Sequence, residues 1–212
     1  MANLLLVDDH AIIRTGLKMI IETFLEDTNI DEAEDGDSAF EKIKNKDYDL
    51  LILDVNMPNT DSFGLISNIL SYKSDAKILM FSMNSEEIYA KRYLKMGAMG
   101  YVRKDAPEAE IRKAITTVLD NKRYLSAEMS EKLLNDLGAD TVNQNPFEKL
   151  SPREFEIVQH LVRGESLAEI CQKLTLHSST VGTHKARIFE KLNCNNIIDL
   201  SAMAKAHNVI LN

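Results

Sequence analysis

The sequence predicts an α/β fold, a doubly wound five-stranded parallel sheet, followed by an all-α segment. Three observations carry this. Over the first 120 or so residues, short apolar runs alternate with helical patterns. Carboxylates stand directly after the first and third runs. From Phe147 onward the apolar spacing is helical throughout.

Asn3–Val7 reads as a buried strand. Ile13, Leu17, Ile20 and Phe24 then fall on one helical face. Ile30–Ala33 is a weaker second strand, Asp35-Gly36 a turn and Ser38–Asn45 a helix. Leu50–Leu53 is strongly apolar and ends at Asp54. Phe63–Tyr72 is helical, Lys77–Ser82 a strand and Ser85–Met96 a helix. Met99–Arg103 is the last strand, and Pro107–Asp120 a helix with Pro near its first turn. Such alternation gives a parallel sheet covered on both faces. Its ligands are expected beyond the carboxyl ends of the strands, at the topological switch point. Residues 126–137 read as a further amphipathic helix through Met129, Leu133, Leu134 and Leu137, stopped at Gly138. Asp140–Pro146 is polar and aperiodic, as a linker is. Ser151-Pro-Arg-Glu154 is a helix start, with an N-cap, Pro at the first position and Glu three residues after the cap. That helix ends near Gly164. Others follow over 166–174, 178–192 and 197–206.

The chain has 212 residues and net charge −8. The charge is uneven. Residues 147–212 hold eight Lys/Arg against seven Asp/Glu, and the rest holds 17 against 26, so only the last third suits contact with nucleic-acid phosphates. No apolar run is long enough for a membrane span. The N-terminus has no basic region ahead of its four-residue apolar run, so no signal peptide is expected. Cys171 and Cys194 make neither a disulfide framework nor a zinc site. A cytoplasmic location fits.

Parallel strands would bring Asp8, Asp9 and Asp54 together. Crowded carboxylates repel unless a cation neutralises them. A hard ion such as Mg2+ suits a few carboxylate oxygens with water and phosphate. Ser82 and Lys104 end the fourth strand and follow the fifth, where a phosphoryl group would find a hydroxyl and a positive charge. His10 reads as the start of the first helix rather than as a ligand.

The pieces Val7-Asp8-Asp9, Asp54-Val55-Asn56-Met57-Pro58, Ser82 and Tyr101-Val102-Arg103-Lys104 resemble the flavodoxin/CheY-like receiver domains of two-component response regulators. The resemblance implies that Asp54 is the phosphoacceptor, taking a phosphoryl group from a sensor histidine kinase. It implies Mg2+ held by Asp8, Asp9, Asp54 and the Asn56 carbonyl. Lys104 would pair with the phosphoryl oxygens, Ser82 would hydrogen-bond them, and Tyr101 would rotate inward behind. One departure stands out. Receivers usually read Met-Pro-x-x-Asp/Asn-Gly after the acceptor, whereas this chain reads Met57-Pro58-Asn59-Thr60-Asp61-Ser62-Phe63-Gly64.

The segment from Leu150 to Ala206 resembles the LuxR-type helix-turn-helix, in its helix start, in Ala168/Ile170 and in Thr180-Val181…His184-Lys185…Lys191-Leu192. Together the two parts resemble the NarL/FixJ class. The domains implied are a receiver over 1–122, a helical linker over 123–146 and a helix-turn-helix over 147–212. Helix 178–192 would enter the major groove, with Val181, Ile188 and Leu192 as its buried face. Ser179, Thr180, Gly182, Thr183, Lys185, Arg187 and Lys191 are its candidate DNA-binding residues. Gly182 stands where many relatives place a base-reading side chain.

The expected function is phosphorylation-controlled transcription regulation by a DNA-binding homodimer, not an enzyme beyond weak autophosphatase activity. Phosphorylation would complete a dimer surface or release the helix-turn-helix. One rival is a phosphorylation-independent regulator with a vestigial receiver, which the intact Asp/Asp/Asp/Ser/Lys set opposes. Another is a phosphoaspartate hydrolase, but Asp54-Val55-Asn56 lacks the second acid of its usual Asp-x-Asp signature.

Overall fold

A computed structural model describes residues 2–58, 60–138, 145–174, 176–207 and 209, without the side chains of 135–138. Two compact units divide the chain, Met1–Asn135 and Asp136–Asn212.

The first unit holds strands β1 (Ala2–Val7), β2 (Thr28–Ala33), β3 (Leu50–Leu53), β4 (Ile78–Ser82) and β5 (Gly100–Arg103). They pair in parallel in the order β2-β1-β3-β4-β5. Order reverses between β1 and β3, which places the switch point at the carboxyl ends of those two strands. Alternate residues face opposite ways along a strand. Leu4 and Leu6 therefore join Leu50, Ile52, Leu79, Phe81 and Val102 in one core layer. Helices α1 (Ala11–Glu22) and α5 (Glu108–Leu119) cover it with Leu17, Ile21, Ile111, Ile115 and Val118. Helices α2 (Gly36–Asn45), α3 (Ser62–Tyr72) and α4 (Glu86–Met96) cover the other face, with Ala39, Ile43, Phe63, Ile66, Ile69 and Tyr93 buried. Both faces being dry explains why β3 and β4 are buried at every residue, apolar throughout except Ser82, rather than alternating.

Several local expectations shift by a residue or two. Asp35 is the N-cap of α2 rather than part of a free turn, because its carboxylate accepts the Ser38 amide at 2.7 Å. Pro107 caps α5 instead of opening it. Ile21, absent from the expected stripe, is fully buried, while Ile13, Ile20 and Phe24 are only partly so.

Helix α6 (Ala127–Gly138) belongs with the first unit for most of its length. Met129 is buried, the Ser126 amide donates to Glu86 at 2.9 Å, and Lys132 pairs with Glu87 at 2.5 Å. Leu134 is exposed. The compact unit thus runs 13 residues past residue 122. The expected Leu137 side chain, and residues 140–144 of the expected linker, lie outside the described residues.

The second unit begins with a 3-10 turn, Pro146–Lys149, followed by α7 (Pro152–Val162), α8 (Leu167–Lys173), α9 (Ser178–Leu192) and α10 (Ile197–Ala206). Ser151 and Glu154 form the capping box that the sequence predicts. Gly164 takes φ +81 after α7, a left-handed conformation that glycine adopts without steric cost. Phe147, Phe155, Val158, Leu161, Ile170, Val181, Ile188, Leu192 and Leu200 fill the core.

Candidate functional site

The Asp54 amide donates to the Val7 carbonyl at 2.8 Å, so the ends of β1 and β3 are tied side by side. Asp8 and Asp54 emerge there, 4 % and 3 % exposed. The Lys104 amide bonds to the Ser82 carbonyl at 3.0 Å, which fixes the ends of β4 and β5 in the same way. Lys104 then reaches across the cleft. Its Nζ lies 2.5 Å from Asp8 Oδ2 and 2.9 Å from Asp54 Oδ2.

Electrostatics in the cleft are tense. Burial pushes the Asp54 carboxyl above its usual range, the Lys104 ammonium pulls it down, and the neighbouring Asp8 carboxylate pushes it up again. Donor atoms of Asp8, Asp9, His10 and Asp54 all lie within 4.8 Å of one another. Asp8 Oδ2 and Asp9 Oδ1 are buried and accept no hydrogen bond. Asp8 Oδ2 is nevertheless charge-paired, with Lys104 Nζ at 2.5 Å. Asp8, Asp9 and Asp54 face the Lys104 ammonium with excess negative charge, which a divalent cation would neutralise. The Asn56 side chain is exposed beside the cleft and accepts a bond from Asn84 Nδ2 at 3.3 Å.

Behind Asp54, Ser82 and Tyr101 are fully buried. Tyr101 lies inward, its hydroxyl donating to the Asn84 carbonyl at 3.0 Å, its ring 6.3 Å from that of Tyr93. Burial pushes its phenol well above the ordinary tyrosine range. Ser82 Oγ accepts the Asn84 amide at 3.2 Å.

The unusual stretch after Pro58 has a local reason. Asp61 is the N-cap of α3 and accepts the Gly64 amide at 2.8 Å. A Cβ on residue 64 would stand 2.7 Å from the Asp61 carboxylate, so a larger residue there would make the capping side chain shift. Thr60 Oγ1 accepts the Gly36 amide at 3.1 Å and pins the stretch to α2. Asn59 lies outside the described residues.

In the second unit, α9 buries Val181, Ile188 and Leu192 against α7 and α8. Ser179, Thr183 and Arg187 are exposed, while Thr180, Gly182 and Lys185 are half-buried. The Thr183 hydroxyl bonds back to the Ser179 carbonyl at 2.9 Å, and Lys185 Nζ lies 5.5 Å from the centre of the Phe189 ring. Lys191 differs from the rest. Its Nζ donates to the buried Glu154 carboxylate at 2.6 Å, so its charge is engaged within the unit.

A model of the response regulator receiver domain matches residues 4–116, and one described as bacterial regulatory proteins, luxR family, matches 148–204. The chain belongs to the response regulators. Oxygen regulatory protein NreC of Staphylococcus carnosus (strain TM300) is 38% identical over 199 residues, spanning 90% of this chain and 91% of NreC. Response regulator UvrY of Escherichia coli (strain K12) is 29% identical over 209 residues, covering 99% and 96%. Among solved structures, RcsB of Salmonella enterica serovar Typhimurium, bound to promoter rprA with phosphomimetic BeF3-, aligns with TM-score 0.73 at 25% identity, over 97% of this chain and all of that one. This response regulator is of the NarL/FixJ class, with a receiver and a LuxR-type DNA-binding domain.

Two residues of the response regulator's cleft escaped sequence reasoning. Asn84 joins Asn56, Ser82 and Tyr101, and its only sequence signal is its place two residues after Ser82. Arg14 donates to the Asp8 carbonyl at 2.6 Å and to Glu32 at 2.9 Å, which steadies the acidic turn.

Gly182 offers a clean test of its own. Apart from its chain neighbours and the backbone of its own helix, no atom lies within 4 Å of where its Cβ would stand, and its φ is not left-handed. Gly182→Ala should therefore stabilise the DNA-binding unit by about 1 kcal/mol, the helix propensity difference, measured by denaturant unfolding. A simultaneous loss of duplex affinity would mark this position as one where the backbone approaches DNA.

Proposed function

We propose that Asp54 accepts a phosphoryl group from the phosphohistidine of a sensor kinase, and that the modified cleft controls transcription through the LuxR-type unit. In this reading residues 1–122 are the receiver, the following helical stretch links it, and 147–212 bind DNA. Asp54 Oδ attacks phosphorus as the P–N bond breaks, its electron pair returning to the imidazole. The observation that carries the reading is Lys104 lying between Asp8 and Asp54 at a buried switch point, with Ser82 and Tyr101 behind it.

Asp8, Asp9, Asp54 and the Asn56 carbonyl would hold Mg2+, which when bound supplies positive charge to balance the acceptor and the phosphoryl oxygens. Lys104 pairs with the incoming oxygens, and the Ser82 hydroxyl donates to them. Doing so takes Ser82 away from the Asn84 amide, while Tyr101 keeps hold of the Asn84 carbonyl. Asn84 leads directly into α4, whose Glu86 holds the Ser126 amide at the start of α6. Moving a two-state equilibrium from 1:99 to 99:1 takes roughly 5.5 kcal/mol. Three new charge-assisted hydrogen bonds at about 2 kcal/mol each, within the usual range of about 1.5–3, supply that much.

The shifted state would favour a homodimer, or free the DNA-binding unit, so that two α9 helices meet successive major grooves. Ser179, Thr180, Gly182 and Thr183 lie toward the N-terminal half of α9, where base edges are read. Lys185 and Arg187 reach phosphates. Leu200 belongs to the core, whereas Ile198 is 80% exposed and open to packing between copies. No helix among the described residues is long and apolar enough to cross a membrane, and a cytoplasmic regulator that accepts but does not turn over phosphate esters fits the whole. The test is acetyl phosphate with Mg2+. Affinity for a duplex from the protein's own promoter should rise, together with self-association in sedimentation. A labelled receiver with both quantities unchanged would overturn the coupling.

A further inference from the structure

The acidic cleft contains a donor that neither the helix start nor the acceptor chemistry explains. His10 is the N-cap residue of α1, yet its side chain makes no capping bond. Ser, Thr, Asp and Asn are the residues that serve there, and histidine brings no such benefit. Its backbone amide instead donates to Asp8 Oδ1 at 2.9 Å, which sets the rotation of that carboxylate. The ring turns the same way. Nδ1 stands 2.8 Å from Asp9 Oδ1 and 3.3 Å from Asp8 Oδ1.

These contacts are not those of an ordinary hydrogen-bonded pair. Asp9 Oδ1 is buried and accepts no hydrogen bond, in spite of the ring nitrogen 2.8 Å away. Asp8, only 6% exposed at its side chain, pairs its second oxygen with Lys104 at 2.5 Å and turns Oδ1 to the ring. Donor atoms of Asp8, Asp9, His10 and Asp54, all within 4.8 Å of one another, can face a common centre. The spacing fits one: with metal–donor bonds near 2.1 Å, adjacent corners of an octahedron lie about 3.0 Å apart. The two His10 distances fall on either side of that edge. The ring is 62% exposed, so this corner lies at the open mouth of the cleft, where an ion can enter.

We propose that His10 gives an imidazole nitrogen to the cation site of Asp8, Asp9 and Asp54, so that the site favours nitrogen-seeking transition ions over Mg2+. The proposal rests on the reading of this cleft as a cation site. Carboxylates, carbonyls and water suit Mg2+, whereas imidazole suits later first-row ions, whose affinities climb from Mn2+ through Co2+ to Ni2+. A mixed nitrogen and oxygen set would let the receiver report on the supply of such an ion as well as on its kinase.

The full chain, loaded with Mn2+ and studied by pulsed electron paramagnetic resonance, should show nitrogen couplings of a directly bound imidazole. His10→Ala should abolish them while Mn2+ still binds. In parallel titrations, His10→Ala should weaken Co2+ by about tenfold, the low end of the loss seen when a supporting partner of a metal site is removed, and change Mg2+ less than twofold. Circular dichroism checks that the variant is folded. Bound Mn2+ without imidazole couplings, or equal shifts for Co2+ and Mg2+, would overturn the proposal and leave His10 as a charge partner of Asp9. Failure of the unaltered protein to bind any of the three ions would overturn it as well, together with the cation-site reading.

Discussion

Asp54→Asn is expected to take up no phosphoryl group from acetyl phosphate with Mg2+ or from a phosphorylated sensor kinase, and to melt no lower than the parent chain. An amide cannot form the acyl phosphate, so the loss is complete rather than graded. The stability half of the expectation follows from the cleft. The Asp54 carboxyl is pushed above its usual range chiefly by burial. A carboxyl whose folded pKa is raised contributes stability at low pH that is lost as pH rises through that value. At neutral pH the ionised group therefore weakens the apo fold, and asparagine removes both its desolvation cost and its repulsion of Asp8. Lys104 keeps Asp8 as its partner at 2.5 Å. Phosphate incorporation and a thermal melt, measured side by side without metal in the melt, check both halves. Label retained by the variant would assign the acceptor elsewhere. A markedly lower melting temperature would mean that Asp54 is a structural partner of Lys104.

Phe147→Ala is expected to unfold the DNA-binding unit and leave phosphorylation intact. Phe147 is fully buried, with its ring 6.5 Å from that of Phe155 and 6.1 Å from that of His207, both edge-on. It thereby joins the turn ahead of α7 to the end of α10. Truncating a buried phenylalanine costs about 3–5 kcal/mol. A unit running from Asp136 to Asn212 has a core that rarely supplies more than about 3–5 kcal/mol in total. The expected loss matches the whole reserve. Denaturant unfolding should lose one of its transitions, duplex binding should vanish, and labelling of Asp54 should continue. Duplex binding at the parental level would show that the unit tolerates the cavity.

How far each conclusion was legible in the sequence follows from the range of the physics involved. Periodicity is local. The apolar runs at 50–53 and 78–82 could be read as doubly buried strands, and Val181, Ile188 and Leu192 as the inner face of α9, because a pleat or a helical turn fixes which residues share a side. Capping is local too, as Ser151 with Glu154 shows. Asp35 misled because Asp-Gly is a turn signal by composition, and only the bond to Ser38 reveals a helix cap. The extent of the first unit was hidden for a similar reason. Met129, Ser126 and Lys132 look like linker until α4 is beside them.

Local patterning along the chain set the alternation that makes a parallel sheet, the helical character of the last third, and the residues that stand at the strand ends. Each is set by neighbours within a few positions along the chain. Which charges meet was set by the folding of distant segments onto one another. Lys104 found Asp8 and Asp54, Lys191 was claimed by Glu154, and Asn84 became the joint between Ser82, Tyr101 and Asn56. Electrostatic and hydrogen-bond energies depend on distances of a few ångströms between groups that can be far apart in the chain, 28 residues for Asn56 and Asn84 and 37 for Lys191 and Glu154. No pattern along the sequence encodes such a distance; the folded sheet, by bringing its strand ends side by side, sets it.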